Sequence, residues 1–192
     1  MTSAWGKNED AFTLVELVIG FAITLILLGV AVQVFLTQRK SVTTQEQVSE
    51  MQQYLRSSMD MIVRDARMAG YDPVGIGFDG ISVAETGTMT VNSDYNGNGT
   101  ISGTESVTYA FDEINYQIDR EAGAGAQPFA ENIESLTFSY LDSSGVATTT
   151  VSGIRQIEIS ITGRTARVDP NYGFQYRYGT LTSTVTPKNL SF

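Results

Sequence analysis

From Leu17 to Leu36 the chain runs for twenty consecutive residues without a charge. Twenty helical residues rise about 30 Å, the thickness of a bilayer's hydrocarbon core, so this stretch is read as a helix that crosses or enters a membrane. It is longer than the apolar region of an ordinary secretory signal, about 7–15 residues. At its head, in AFTLVELVIG (residues 11–20), stands one carboxylate, Glu16. A charged side chain at bilayer depth costs roughly 2.5–3.5 kcal/mol on insertion scales, so an acid placed there calls for a partner.

Helical character does not stop at Leu36. Residues 37–68 hold no Gly or Pro and are rich in Gln, Glu, Met, Arg and Ser. Apolar residues recur at Val48, Met51, Leu55, Met59, Ile62 and Ala66. Steps of three and four draw one stripe on a 3.6-residue helix, the mark of a face packed on a core. Gly70 suits the position just past a helix end, with Tyr71-Asp72-Pro73 blocking continuation. One helix is therefore expected from about residue 13 to about 69, apolar all round first and amphipathic later.

After Pro73 the composition turns to Gly, Thr, Ser, Val and Ile. Alternating runs appear at 88–91, 106–111, 114–118, 135–141, 154–162 and 172–185, each bounded by turn material such as DSSG at 142–145 or AGAGAQP at 122–128. These predict an antiparallel sheet, or two small ones, packed on the helix stripe. The fold class expected is α+β. The expected divisions are 1–11, a polar leader; 12–36, the membrane or filament-core half of the helix; 37–70, the half that packs on a head; and 71–192, a β-rich head. Tyr172, Phe174, Tyr176 and Tyr178 alternate, which predicts one face of a strand lying on the core, or else an aromatic surface for docking.

Composition excludes several function classes. With 21 Asp and Glu against 12 Lys and Arg, the net charge is −9, which disfavours a phosphate backbone as partner; no nucleic acid is expected. No Cys and no His leave no thiol nucleophile, no Cys/His zinc site and no Ser-His-Asp triad. GIGFDG at 75–80 has dinucleotide-loop spacing but follows a helix and precedes strand-like sequence, the reverse of what such a site requires. The acid pairs Asp112-Glu113 and Asp119-Glu121 are read as solvated sheet edges, and no enzyme is expected.

One motif carries metal chemistry. DYNGNGTISGTE, residues 94–105, fits the twelve-residue calcium spacing D-x-[DN]-x-[DN]-G-x5-E. Calcium takes about six to eight oxygens. The loop would supply them from the Asp94, Asn96 and Asn98 side chains, the Thr100 carbonyl, the Ser102 hydroxyl or its water, and a bidentate Glu105. Gly99 allows the sharp turn. The flanking residues read as strands, so a calcium loop without EF-hand helices is expected. An Asn-Gly hairpin turn explains NGNG as well, but not the Asp at the first position or the Glu at the twelfth. With two charged ligands, the affinity expected is near 10⁻⁴–10⁻³ M, roughly the extracellular range. Such Ca2+ would be structural, a staple where Cys is lacking.

A short hydrophilic leader, a small residue at Ala11, and Phe12-Thr13-Leu14-Val15-Glu16 heading an apolar helix together resemble a type IV prepilin. The resemblance implies cleavage by prepilin peptidase between Ala11 and Phe12, with Ala in place of the usual Gly. It implies N-methylation of Phe12 and pairing of Glu16 with the Phe12 amine of a neighbouring subunit. RDARMAGYDP (64–73), AENIESLTFSYLD (130–142) and TVTPKNL (184–190) are similar to PilW-type minor pilins, relatives of the J-type pseudopilins of type II secretion. That likeness implies a tip-proximal complex priming pilus assembly, with other minor and major pilins as partners. A secretion pseudopilin and a calcium-dependent adhesin on a pilin stem are the alternatives. The implied location is the bacterial inner membrane, single-pass with the head outside the cytoplasm, and then a pilus or pseudopilus. Arg39-Lys40 beyond the apolar run would by charge bias alone place the C-terminal part inside.

Overall fold

A computed structural model describes residues 12–170 and 172–190. The leader 1–11, including Ala11, lies outside the described residues. The chain divides at Thr44/Gln45 into two compact units.

Helix α1 spans Leu14–Arg67, close to the bounds that periodicity and Gly70 set. In the first unit every described residue from Phe12 to Thr43 is exposed on the chain by itself. An 18-residue window there reaches a mean hydropathy of 2.6, enough in length and composition to cross a membrane. Thr24 and Thr37 return their hydroxyls to the carbonyls of Gly20 and Gln33, so neither adds an unpaired polar group to that surface.

In the second unit α1 buries the stripe that its spacing predicted. Met51, Leu55, Met59, Ile62 and Ala66 are all buried, with Val48 packed against the same core. Gly70 adopts φ +76°, the left-handed conformation that suits the end of a helix. Its N–H, however, goes to the Asn92 carbonyl of a neighbouring strand at 2.9 Å rather than back into the helix. The end of α1 is thus sewn to the sheet.

Two antiparallel sheets complete the core. The first has the order β1-β2-β3-β4-β5: Ile81–Ala84, Thr88–Asn92, Ser106–Asp112, Gln117–Glu121 and Ala126–Glu131. The second has the order β6-β7-β8: Ile133–Leu141, Gln156–Arg164 and Tyr178–Val185. The β7 alternation points Ile157, Ile159 and Ile161 inward, all fully buried, opposite Tyr140, Phe138 and Leu136 of β6. The Phe138 N–H reaches the Thr86 carbonyl at 2.7 Å, which ties the sheets together at the β1–β2 turn.

Four strand expectations need correction. β1 was not foreseen, and β5 begins inside AGAGAQP, which reads as turn material. Pro128 is tolerated because β5 is the outer strand, where a missing N–H breaks no second ladder. The strand expected at 114–118 starts only at Gln117, because the Asp112 carboxylate captures the N–H groups of Ile114 and Asn115 at 2.9 and 3.1 Å. β4, with Asp119 and Glu121, lies between two strands and is not a sheet edge.

The aromatic row is the largest departure. Phe174 has φ +56°, and its N–H and that of Tyr172 both bond the Asp169 carbonyl, so the backbone turns where a strand was expected. Tyr172, Phe174 and Tyr178 are exposed, not packed on the core. Two of these rings instead cover arginines. Tyr176, with Tyr116, brackets the Arg164 guanidinium, and Tyr172 lies 3.9 Å from that of Arg177.

Candidate functional site

At the start of α1, Thr13 and Glu16 form a capping box. The Glu16 carboxylate accepts the Thr13 N–H and hydroxyl, each at 2.9 Å, and the Glu16 N–H returns to Thr13 Oγ1 at 3.2 Å. The T-x-x-E spacing that marks such a box stands in the sequence, and reading Glu16 as a charge at the membrane or between subunits passes over it. The carboxylate therefore has an answer within its own helix. Phe12 precedes the box and is 85% exposed. Phe12, Glu16 and the apolar face behind them, Leu17, Gly20, Phe21 and Thr24, form one open surface.

The calcium-type loop lies between β2 and β3, strands on both sides as expected, and ends in a 3-10 turn at Gly103–Glu105. The strand ends hold its base. The Ser93 N–H bonds the Glu105 carbonyl at 2.9 Å, and the Asp94 N–H bonds the Tyr71 carbonyl at 2.8 Å. The Ser93 hydroxyl reaches the Met68 carbonyl at 3.0 Å, so the loop is fixed to the end of α1. Beside it, the Asp72 carboxylate takes the N–H of Gly77 and of Gly75, and the Gly77 bond foremost lowers its pKa.

Inside the loop, side-chain oxygens accept the loop's own N–H groups in a regular pattern. Asp94, fully buried, accepts the N–H groups of Gly97, Asn98 and Gly99 at 2.7, 3.2 and 2.9 Å. Asn96 Oδ1 accepts the Asn98 N–H at 2.9 Å, and Asn98 Oδ1 the Thr100 N–H at 2.7 Å. Gly99 adopts φ +74°, as the turn at that position demands. Glu105, 3% exposed, receives the N–H of Asn96 and of Ser102, each at 3.3 Å, and the Ser102 hydroxyl at 3.5 Å. The predicted ligands Asp94, Asn96, Asn98, Ser102 and Glu105 thus share one hydrogen-bonded loop, with Thr100 held in it by its N–H.

The donor set fits a hard cation. It is all oxygen, and Asp94 Oδ2, Asn96 Oδ1, Asn98 Oδ1 and Glu105 Oε1 each take one hydrogen bond and keep a lone pair, whereas Asp94 Oδ1 and Glu105 Oε2 each take two. Two buried carboxylates stand on one loop, and among the described residues no salt bridge reaches either. The bonds to Glu105 are long for hydrogen bonds and answer its charge poorly. Among the described residues no three or more His, Cys, Asp or Glu come together so that they could hold a metal ion. A cation here would rest on two carboxylates plus neutral oxygens, the composition of a weak calcium site.

A third polar cluster was not anticipated. Asp65 on α1 accepts the buried Tyr109 hydroxyl at 2.7 Å, and Arg120 lies 3.4 Å from the same carboxylate oxygen. Burial, then the bond to Asp65, pushes the Tyr109 pKa up. The available signal was an Asp inside the apolar stripe, between Ile62 and Ala66. The cluster locks α1 to the first sheet and is structural.

Residues 6–32 match the model of the prokaryotic N-terminal methylation motif. That span includes Phe12, Glu16 and most of the uncharged run. Among solved structures, a type IV-like pilin from Thermus thermophilus is similar at 10% identity with a TM-score of 0.45, over 72% of this chain and 97% of that one. No curated protein matches the chain. The chain carries a prepilin-type methylation motif on a helix apolar enough to anchor it in a membrane, ahead of an α+β body.

Proposed function

We propose that the chain is a minor pilin of the PilW type, an assembly subunit rather than an enzyme. It would sit in the inner membrane with its β-rich part outside the cytoplasm, and then join a tip-proximal complex that primes pilus polymerisation. The observation that carries this reading is Glu16, held in a capping box in the first turn of an exposed apolar helix and four residues past Phe12. Before assembly, Thr13 answers the carboxylate, which lowers the cost of carrying it into the apolar layer. After prepilin peptidase cuts between Ala11 and Phe12, the N-methylated amine of Phe12 on one subunit pairs with Glu16 of the next. In a low-dielectric bundle either charge alone is costly, and the pair is tolerable. The loop 94–105 binds Ca2+ through Asp94, Asn96, Asn98, Thr100, Ser102 and Glu105, filling outside the cell and stapling β2 and β3 to the end of α1.

Deleting the gene and restoring it as wild type or Glu16→Gln tests the reading. Loss of surface pili, restored by wild type and not by Glu16→Gln, is the expected result, with both forms found in the membrane fraction. Intact pili with lost secretion would assign the chain to a J-type pseudopilin, and intact pili without attachment to an adhesin on a pilin stem.

A further inference from the structure

The β6-β7-β8 sheet leaves one long strand edge open. Among the described residues β8 has a neighbour on one side only, and its eight residues, YGTLTSTV, include no charge and no Pro. Its pairing runs from Arg164↔Tyr178 to Ile157↔Val185 without a bulge. Natural sheets guard such edges with charge, Pro, bulges or short length. The other three edges follow that rule. β1 is four residues long and bulged, β5 carries Pro128 and Glu131, and the outer side of β6 is bonded to Thr86 and Thr148. Among the described residues, no backbone hydrogen bond reaches β8 beyond its ladder with β7.

Beside that edge lies a groove of about 560 Å³ lined by the last turns of α1 and by Ser183 of β8. Met59 and Val63 are its buried floor, and Arg64, Arg67 and Lys188 stand exposed on its rim, with Asp60 as an acid among them. Arg64 has one 3.9 Å contact with Asp65, while Arg67 and Lys188 enter no salt bridge among the described residues. On a chain of net charge −9, three cations along one groove reverse the local sign.

We propose that this edge and groove accept an extended acidic segment of a partner protein, added to the sheet as a further strand. Main-chain hydrogen bonds to β8 would supply affinity, and alternate side chains would supply selectivity. An apolar residue would face Met59 and Val63, and carboxylates the basic rim. A second copy of β8 suits the edge less well, because it brings no acid to meet that rim. The inference needs nothing from the filament reading and is tested apart from it.

The full chain in detergent micelles is titrated with a fluorescein-labelled decapeptide of alternating Val and Thr ending in three Glu. Saturable binding is expected, with slowed amide exchange within residues 178–185. Replacing Glu by Lys in the peptide, or making Arg64→Glu with Arg67→Glu in the protein, should weaken binding about tenfold or more. Of Thr182 and Ser183, one turns its N–H to β7 and the other to the open edge. Whichever of Thr182→Pro and Ser183→Pro keeps the wild-type circular dichroism should lose the peptide. Absence of binding, equal binding of the Lys peptide, or binding without protection of β8 would overturn the proposal. So would concentration-dependent dimers that protect β8, which would give the edge to a second copy.

Discussion

Asp94 and Glu105 are both buried on one loop, yet they are answered unequally: Asp94 by three N–H groups at 2.7–3.2 Å, Glu105 by contacts of 3.3–3.5 Å. If Ca2+ supplies the missing charge, then at about 1 mM calcium and a Kd near 10⁻⁴ M the folded state gains about 1.4 kcal/mol. For a chain of this size that is a rise in melting temperature of about 3–6 °C. Thermal melts with calcium and with chelator should show the rise in the wild type and none in Glu105→Ala; no calcium-dependent shift in the wild type would leave only a hairpin turn. Asp65 poses the same problem with a different solution. Tyr109→Phe removes its 2.7 Å bond and leaves the buried carboxylate to Arg120 at 3.4 Å and Arg64 at 3.9 Å. Leaving an acceptor so poorly paired costs about 1–3 kcal/mol, readable in a urea titration as a lower midpoint with unchanged slope. Wild-type stability in Tyr109→Phe would mean that the cluster contributes nothing.

Elements were legible where one periodicity acts without competition. The α1 stripe was read correctly because steps of three and four bring Met51, Leu55, Met59, Ile62 and Ala66 to one face, and that face is buried. β7 was legible for the matching reason, with isoleucines at a period of two. Legibility failed where local hydrogen bonds redirect the backbone. Asp112 turns the chain through 113–116, and the backbone carbonyl of Asp169 turns it at Tyr172 and Phe174, overriding alternation that looked strand-like. β5 escaped because Gly, Ala and Pro carry no alternation, so its pairing with β4 is decided by the neighbour rather than by its own residues. The segment 94–105 was legible as a loop between two strands, because the Asn and Gly residues at 96–99 break the alternation on either side. Capping at Thr13 was equally visible but was masked by the intermolecular reading of Glu16. The packing account makes its own prediction at Leu55. This side chain fills the space over Gly163, where even a Cβ would lie 3.0 Å from it. Leu55→Ala should cost about 2–5 kcal/mol in chemical denaturation. Its exposed neighbour Tyr54 should change stability by less than about 0.5 kcal/mol when replaced by Ala. Equal effects at the two positions would contradict the packing described.

At the scale of the molecule, two demands meet in one helix. Its first part is apolar on every side, exposed on the chain alone, and so requires a membrane or other helices around it. Its second part is the spine on which both sheets are built. A chain arranged in this way has its anchoring and its body joined in one element, and under the proposed function the short string Phe12-Thr13-Leu14-Val15-Glu16 is what would turn that element from an anchor into part of a filament. The charge bias of Arg39-Lys40 argues for the opposite orientation, so the central claim rests on processing at the N terminus. Intact-mass analysis of the chain purified from membrane and filament fractions tests it most directly. The account predicts a chain that begins at Phe12 and carries one added methyl group. A chain that still begins at Met1 in both fractions would contradict it.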